Sequence, residues 1–295
     1  MKDKPRKIIR ALLVLIGIGI LVYPSVSQYL HNKNMSRVIA SYNDDVSRIE
    51  KSQIDKLFQE AQAYNKMLAS SEGEKITFPD GRPVPRESYE KVLNVNGNGM
   101  MGYISIPKLN ETNCIFHGTD ESVLQSGVGH LKNTSLPAGG DSSHSVLMGH
   151  RGLPSADLFT DLDQLVIGDC FYIKILDRTL CYTVDNISVV LPDKMDELSI
   201  EKGKDYVTLV TCTPYGVNSH RLLVRGVRTP FDEKEGIPVY TAKDIKTFWS
   251  KLPAQYRHML IGAGAIIVFL ILWALFRLLI SRIRRRRKEV ESHEK

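Results

Sequence analysis

Hydrophobic residues follow two different periods along the chain, and the change falls near residue 99. Between Met35 and Ala69, apolar side chains recur among charges at close to a 3.6-residue spacing, which predicts one or two amphipathic helices. We expect their apolar stripe to pack against the main domain of the same chain rather than to bind a partner. From Glu72 to Gly99 the sequence is rich in Gly, Pro, Asn and Asp, which is typical of a surface loop, here around a short helix near residues 86–93.

Short strand-like runs follow this helical region and loop, which together cover residues 35–99. The runs are GYISIPKL, NCIFHG, SVLMGH, CFYIKI, TLCYTVDNISVV, DYVTLVTC and HRLLVRGVR. Turn signals separate them, and no helical segment repeats between them. Seven or eight strands in this arrangement predict a mainly β domain over residues 100–230, either an antiparallel barrel or a sandwich.

Two longer apolar runs lie near the ends of the chain. The first, Ala11 to Tyr23, follows five basic residues, which is the charge order of a signal peptide or signal anchor. No Ala-x-Ala cleavage site follows, so residues 1–27 are predicted to be a cytoplasmic basic tail and an uncleaved anchor. The second, Met259 to Phe276, has eighteen residues without a charge, enough to span a bilayer core. It predicts a transmembrane helix over 259–280, joined to the barrel by a linker over 231–258.

The basic charge of the chain is concentrated at its ends. Residues 1–10 carry a formal charge of +4 and residues 277–295 carry +5, so the total of +6 leaves −3 for residues 11–276. Basic clusters beside membrane spans hold both ends in the cytoplasm, including the tail over 281–295. We therefore expect a two-span protein of the cell membrane whose catalytic domain is extracytoplasmic. Binding to nucleic acid is rejected, because the central domain is not basic.

The four cysteines lack the spacing of a metal site, and no cofactor is predicted. If a hairpin turned around Asp177-Arg178, Cys181 would face Lys174 and lie about 13 Å along the strand from the level of Cys170. That distance is too long for a disulfide. We therefore expect free thiols, and we interpret Cys114, Cys170 and Cys181 as small apolar residues of the core.

The stretch TLVTCTPYGVNSHRLLVRG, residues 208–226, places Cys212 at the end of an apolar strand and a basic pair at the start of the next. A reactive thiol needs a neighbouring base, and histidine is the usual choice. The candidates are His117, His130, His144, His150 and His220. Of these, His150 ends SVLMGH before an Arg-Gly-Leu-Pro loop, which is a common place for a functional side chain. Strand alternation sends His220 and Arg221 to opposite faces. The face of Arg221 is the wetter one, and its guanidinium can donate hydrogen bonds to an oxygen that becomes negative in acyl transfer.

These residues match a known pattern. From about Met35 to Pro230, and in its C-terminal anchor, the chain resembles the class C, pilus-assembling sortases of Gram-positive bacteria. The most specific motifs are TLVTCTPYGVNSHRLLVRG, MGHRGLPSADLFTDLDQL, GYISIPKL and GVGHLKNTSLPAGG. The resemblance implies an eight-stranded sortase-type β barrel with Cys212 as the nucleophile, His150 as the general acid and base, and Arg221 holding the substrate and the oxyanion.

The resemblance also implies a substrate and a reaction. The expected partners are pilin or surface proteins that carry an LPxTG-like sorting signal, cut after Thr to leave a thioacyl enzyme that a pilin lysine then attacks. One alternative is a sortase that anchors proteins to a cell-wall peptide amine, and another is a non-catalytic scaffold that docks pilins. A papain-like protease is disfavoured, because its cysteine would precede its histidine.

The sequence departs from the class C pattern at one place. Many members of the class carry a lid in which an Asp-Pro-aromatic stretch covers the cysteine, whereas this chain has no Asp-Pro dipeptide and has ITFPDGRPVP at the lid position. We therefore expect residues 72–85 either to connect the helices to the barrel or to lie loosely near its mouth, without an Asp that contacts Cys212.

Overall fold

Two long helices precede a β barrel in the computed structural model, which describes residues 3–70, 85–194, 196–231 and 264. Helix α1 spans Asp3–Ser47, α2 spans Lys51–Ala69, and the short α3 spans Glu121–Ser126. The short helix expected near residues 86–93 is a 3₁₀ helix over Arg86–Glu90. Further 3₁₀ turns are Pro107–Leu109, Leu162–Gln164 and Asp196–Leu198.

Eight strands close into a barrel. They are β1 (Met100–Ile106), β2 (Glu111–His117), β3 (Val128–His130), β4 (Ser143–Met148), β5 (Cys170–Ile175), β6 (Arg178–Val190), β7 (Asp205–Thr213) and β8 (His220–Thr229). Their order around the barrel is β1-β2-β3-β4-β7-β8-β6-β5, and β5 pairs with β1 to close it. The predicted barrel is confirmed, but it is not wholly antiparallel, because β2 pairs with β3 and β4 pairs with β7 in parallel. Strand alternation has the same period in both arrangements, so the sequence pattern could not separate them.

Strand β1 is buried along its whole length, on both of its faces. One face points into the barrel interior. Helix α1 packs near the other face. The Cys114 N–H on β2, for example, donates to the Met35 sulfur on α1 over 3.3 Å. The helical region and the barrel share one core. This is why the run MMGYISI is apolar along nearly its whole length.

Helix α1 includes two segments that were predicted separately, the anchor and the first amphipathic stretch. Its C-terminal half buries Met35, Ile39, Tyr42 and Val46, at a helical spacing. From Leu12 to Leu30 its side chains are largely apolar and exposed. Over Leu12–Ser47 this is the one helix among the described residues that is long and apolar enough to cross a membrane, with a mean hydropathy of 1.7 in its most apolar window. The second predicted span, over 259–280, lies outside the described residues except for Gly264.

Helix α2 packs its apolar stripe against the barrel domain, as expected from the sequence. Ile54, Phe58, Ala61 and Tyr64 are buried along one side. Beside them, the Asn65 side chain is only 3% exposed. Its amide donates to the carbonyl oxygens of Leu136 and Gly139, and its oxygen accepts from the Leu136 N–H. The helical region is therefore fixed to the barrel by specific polar contacts as well as by apolar burial.

The β5–β6 hairpin turns one residue earlier than the sequence suggested. Ile175 opposes Arg178, so that Cys181 faces Tyr172 rather than Lys174, and Cys170 faces Thr183. The turn includes Leu176, whose φ of 53° lies in the left-handed region. Leucine rarely adopts this conformation, so the sequence contained no sign of it. All four cysteines have free thiols. Cys114 and Cys181 are buried, whereas Cys170 is only half-buried and is not a full core residue.

Candidate active site

Cys212 and Arg221 sit opposite one another at one end of the barrel. Cys212 is the second-last residue of β7, Arg221 is the second residue of β8, and the antiparallel register pairs them directly. On the other side of β8, Arg221 opposes Val190, the last residue of β6. Directly opposed residues share a face of the sheet. The thiol, the guanidinium and the Val190 side chain therefore form one row across three strands.

This row lies on the outer face of the barrel. Within β7 and β8, the alternate residues Leu209, Leu222 and Val224 belong to the main core. Val210 and Leu223, which share the face of Cys212 and Arg221, belong instead to a second, small apolar cluster with Val146. The thiol and guanidinium therefore stand at the end of a shallow apolar strip. His220 falls on the opposite face from Arg221, as strand alternation predicts.

His150 reaches the level of Cys212 through the parallel ladder of β4 and β7. The last paired residues are Met148 and Val210, and the Gly149 N–H continues the ladder by donating to the Val210 carbonyl over 3.1 Å. The Thr211 hydroxyl donates back to the Gly149 carbonyl over 2.8 Å. Because a parallel register advances residue by residue, two further positions bring His150 level with Cys212.

The backbone around His150 is held by close packing. The Phe159 N–H donates to the His150 carbonyl, and the buried Phe159 ring lies against Gly149, where an added Cβ would stand 2.6 Å from the ring. Only glycine leaves room for that ring. The imidazole is thus carried on a chain segment that is fixed just before and just after it.

A carboxylate lies beside the imidazole. Glu121 Oε1, on α3, is 3.3 Å from His150 Nε2. This contact lacks hydrogen-bond geometry, so Nε2 has a charged neighbour but no hydrogen-bond partner among the described residues. The Gln125 amide and then His150 lower the pKa of Glu121, so this carboxylate is ionised at neutral pH. It is 69% exposed, which makes the pair a weak one.

Arg221 is anchored through one end of its guanidinium. Nη1 donates to the carbonyl oxygens of Asn218 and His220, at 3.3 and 3.1 Å. Within the described residues, the hydrogen bonds of this side chain come from Nη1 alone. The remaining N–H groups of the fork can therefore face a bound carbonyl or oxyanion beside Cys212.

Sequence reasoning missed Arg151, which follows His150. Its side chain is only 8% exposed and forms an ion pair with Asp163. Nη1 also donates to the Thr213 hydroxyl over 3.2 Å, and the guanidinium lies 5.9 Å from the Tyr215 ring centre. An arginine in a polar loop is ordinarily a solvated residue, and no sequence signal distinguished this one.

Three other histidines of the barrel have structural contacts. His117, His130 and His144 are buried, and each contacts a backbone carbonyl. Among the described residues, no group of His, Cys, Asp or Glu has the arrangement of a metal site.

A cavity of about 650 Å³ lies away from this site. Its walls include Phe58 on α2, Asp177 and Arg178 at the β5–β6 turn, and Asp205 and Arg228. Asp205 begins β7 and Cys212 stands near its end, which separates them by roughly 23 Å of strand. The cavity therefore belongs to the opposite end of the barrel.

Comparison with known proteins identifies this barrel as that of a sortase, a cysteine transpeptidase. The family model described as "Sortase domain" matches residues 104–229. Among curated proteins, Sortase A of Bacillus anthracis is 29% identical over 170 residues, which is 57% of this chain and 78% of that protein.

Solved structures give stronger matches. Sortase C1 from Streptococcus agalactiae is 49% identical with a TM-score of 0.61, covering 66% of this chain and all of that one. Sortase C of Clostridium perfringens, solved with a C-terminal cell wall sorting motif, is 42% identical with a TM-score of 0.57, again over 66% of this chain and all of that one. The chain belongs to the sortase family, and its structural neighbours are class C sortases.

The segment at the lid position lies almost wholly outside the described residues. Of ITFPDGRPVP, residues 76–85, only Pro85 is described. The expectation that no Asp from this segment contacts Cys212 therefore stays a prediction.

Proposed function

We propose that this sortase assembles pili, and that Cys212, His150 and Arg221 carry the reaction. The observation that supports these roles is the direct opposition of Cys212 and Arg221, with His150 brought level with the thiol by the β4–β7 ladder. Two similar structures support the pilus assignment. One, described as "Sortase C1 of GBS Pilus Island 1", is 41% identical with a TM-score of 0.58. The other, sortase C of Streptococcus pneumoniae, is described in terms of its pilin substrate specificity.

In the first half-reaction, the Cys212 sulfur attacks the carbonyl carbon between Thr and Gly of an LPxTG-like signal. A C–S bond forms, the C–N bond breaks, and His150 gives a proton to the departing glycine amine. The carbonyl oxygen carries negative charge in between, and the Arg221 fork stabilises it. The products are a thioacyl enzyme and the released C-terminal peptide.

In the second half-reaction, a pilin lysine amine attacks the thioacyl carbon. His150 takes the proton of the amine, the C–S bond breaks, and an isopeptide bond joins the two pilins. A cell-wall peptide amine would follow the same steps, and this is the alternative acceptor. A non-catalytic scaffold for pilins is the third possibility, and it requires no chemistry at Cys212.

The exposed apolar half of α1 anchors the enzyme to the cell membrane. We further propose that the second span over 259–280 returns the chain to the cytoplasm, so that the barrel stands on the extracytoplasmic side. The basic residues at both ends of the chain support this orientation.

The test is intact-mass analysis of the full-length protein in detergent after incubation with an LPxTG-type peptide. We expect a mass increase equal to the peptide up to its Thr, located on Cys212 by peptide mapping. Cys212→Ala is the matched control and should gain nothing. An adduct that forms equally on Cys212→Ala would contradict the nucleophile assignment, and pilin joining by that variant would favour the scaffold.

The acceptor is tested by adding two amines to the loaded enzyme. One is a peptide containing a pilin lysine, and the other is a cell-wall stem peptide with a free amine. The pilus assignment predicts faster discharge by the lysine peptide. Preference for the stem peptide would favour the anchoring alternative while leaving the transpeptidase chemistry intact.

A further inference from the structure

Arg151 links the two chain segments that carry His150 and Cys212. It directly follows His150, and its hydrogen-bond partner Thr213 directly follows Cys212. The backbone ladder between these segments ends with the Gly149 N–H and the Val210 carbonyl. The Thr211 hydroxyl then donates to the Gly149 carbonyl. Beyond that bond, the contact from Arg151 Nη1 to Thr213 Oγ1 is the next link that the described residues supply.

The guanidinium holds more than one partner at once. Nη1 serves Thr213, Nη2 forms the ion pair with Asp163 in the turn Leu162–Gln164, and the Tyr215 ring lies nearby. Tyr215 also packs on Gly152, where an added Cβ would stand 2.7 Å from the ring and where φ is +78°. The loop after His150, the turn at Asp163 and the loop after Cys212 therefore meet at the Arg151 side chain.

The Arg151 side of this contact is buried, whereas Asp163 is about half exposed. The Arg151 side chain is 8% exposed, and its Nε has no hydrogen-bond partner among the described residues. A buried guanidinium is costly to keep without partners. An arginine is needed here because its planar fork can serve Thr213 and Asp163 in fixed directions, whereas a lysine offers a single point charge.

We propose that Arg151 is a positioning residue that sets the separation of His150 and Cys212. This inference rests on the roles proposed above for that pair. Arg151 acts through Thr213 and does not contact the substrate. Proton transfer between His150 and the reacting groups depends on this separation, and a displacement of about 1 Å can cost on the order of 100-fold in rate.

The test measures thioacyl formation by the full-length enzyme in detergent, with an LPxTG-type peptide over a range of concentrations. We expect Arg151→Met to lower kcat by roughly 10- to 100-fold with little change in KM, because positioning is lost and binding is not. Thr213→Val removes the same hydrogen bond while keeping the side-chain shape, and it should reproduce part of the loss. Thr213→Ser keeps the hydroxyl, so its kcat should be close to that of the wild type.

A matched control separates positioning from general stability. Arg178 also forms an ion pair, with Asp55, and lies 4.1 Å over the Phe58 ring, but it stands at the other end of β6 from Val190. Arg178→Met should lower the unfolding midpoint without changing kcat. In the double variant Arg151→Met with Thr213→Val, the effects on kcat should be clearly less than additive, since both remove one contact.

Two results would overturn the proposal. One is a kcat within about twofold of the wild type in both Arg151→Met and Thr213→Val, measured on folded protein. Such a change in kcat would be much smaller than the loss that misplacement causes. The other is a change confined to KM, which would make Arg151 a substrate-binding residue. Parallel assays of Cys212→Ala and His150→Ala identify a different failure: if these retain activity, the proposed function itself is wrong.

Discussion

The Tyr42 hydroxyl on α1 bridges two backbone groups of the barrel. It donates to the Met101 carbonyl on β1 and accepts from the Leu176 N–H at the β5–β6 turn, both over 2.9 Å. The side chain is fully buried, and burial raises its pKa far above the usual range. One hydroxyl thus ties the helical region to the two strands that close the barrel.

Replacing Tyr42 should destabilise the protein. Tyr42→Phe leaves a buried N–H and a buried carbonyl without this partner, and we expect a loss of about 1–3 kcal/mol in the free energy of unfolding. Urea denaturation of the full-length protein in detergent measures it. Tyr29→Phe is the control, because Tyr29 is exposed on the same helix and should change little. Equal stabilities for the two variants would show that the bridge contributes nothing.

Stability should fall with pH through His130. The ring is fully buried, with Nε2 donating to the Ser135 carbonyl and Nδ1 facing the Tyr89 hydroxyl. Burial lowers its pKa to about 4, below its value of 6.5 in the unfolded chain. Between these values the unfolded chain binds a proton that the folded chain does not. Stability is therefore fully present above pH 6.5 and lost progressively as the pH falls toward 4.

The expected loss from this group between pH 7 and pH 5 is about 2 kcal/mol. Burial lowers the pKa of His144 as well, which adds to the effect in the same direction. Denaturant titrations at the two pH values measure the total. His130→Gln should be less stable at pH 7 but should lose less on acidification. A slope unchanged by this substitution would contradict the assignment to His130.

Cys212 should be more reactive than the two buried thiols. Burial raises the pKa of Cys114 to about 12 and also raises the pKa of Cys181, and both side chains are inaccessible. Cys212 is half-buried at the end of β7. Alkylation of the native protein at pH 8, followed by peptide mapping, should therefore modify Cys212 well before Cys114 or Cys181. Rapid modification of Cys114 would show that the contact between α1 and β2 opens readily.

The charge of Arg221 alone should not be enough for catalysis. Arg221→Lys keeps the positive charge but removes the planar fork that holds two backbone carbonyls and faces Cys212. We expect kcat for thioacyl formation to fall by about 10²- to 10³-fold, the usual effect of losing an oxyanion donor. Full activity in the lysine variant would assign Arg221 a purely electrostatic role.

The barrel should be accessible from outside the cell. Protease treatment of intact protoplasts should release fragments of residues 100–230 and leave the basic ends protected. Antibodies to epitope tags at the two ends provide the control, since they should bind only after lysis. Barrel fragments that appear only after lysis would reverse the proposed topology.

The strands of this protein could be predicted well from the sequence, but their pairing could not. Every strand-like run forms a strand, because alternation and β-branched residues report burial of one face. Strand β3, Val128–His130, is only three residues long and carries no such pattern. The positive φ of Leu176 shifted the hairpin register, since glycine or asparagine usually marks such a position.

Part of the candidate site could also be predicted from strand alternation. Alternation along β8 was enough to separate Arg221 from His220, and the order of strands then brought Cys212 opposite Arg221. The approach of His150 depended on the parallel β4–β7 pairing, which was not predicted; the family resemblance gave His150 its role without this pairing. Arg151 depends on contacts between three loops, and a single sequence contains no periodic signal for contacts of that kind.

The continuity of α1 from its apolar half into the half packed on the barrel limits how the enzyme can search for substrates. A helix cannot swivel as a flexible tether does, and from Leu30 to Ser47 it rises by roughly 25 Å. With the exposed apolar part of α1 in the bilayer, as proposed, Cys212 and Arg221 are held at a set height and orientation above it. We therefore expect the enzyme to favour substrates that reach that height, namely proteins still attached to the membrane near their sorting signals.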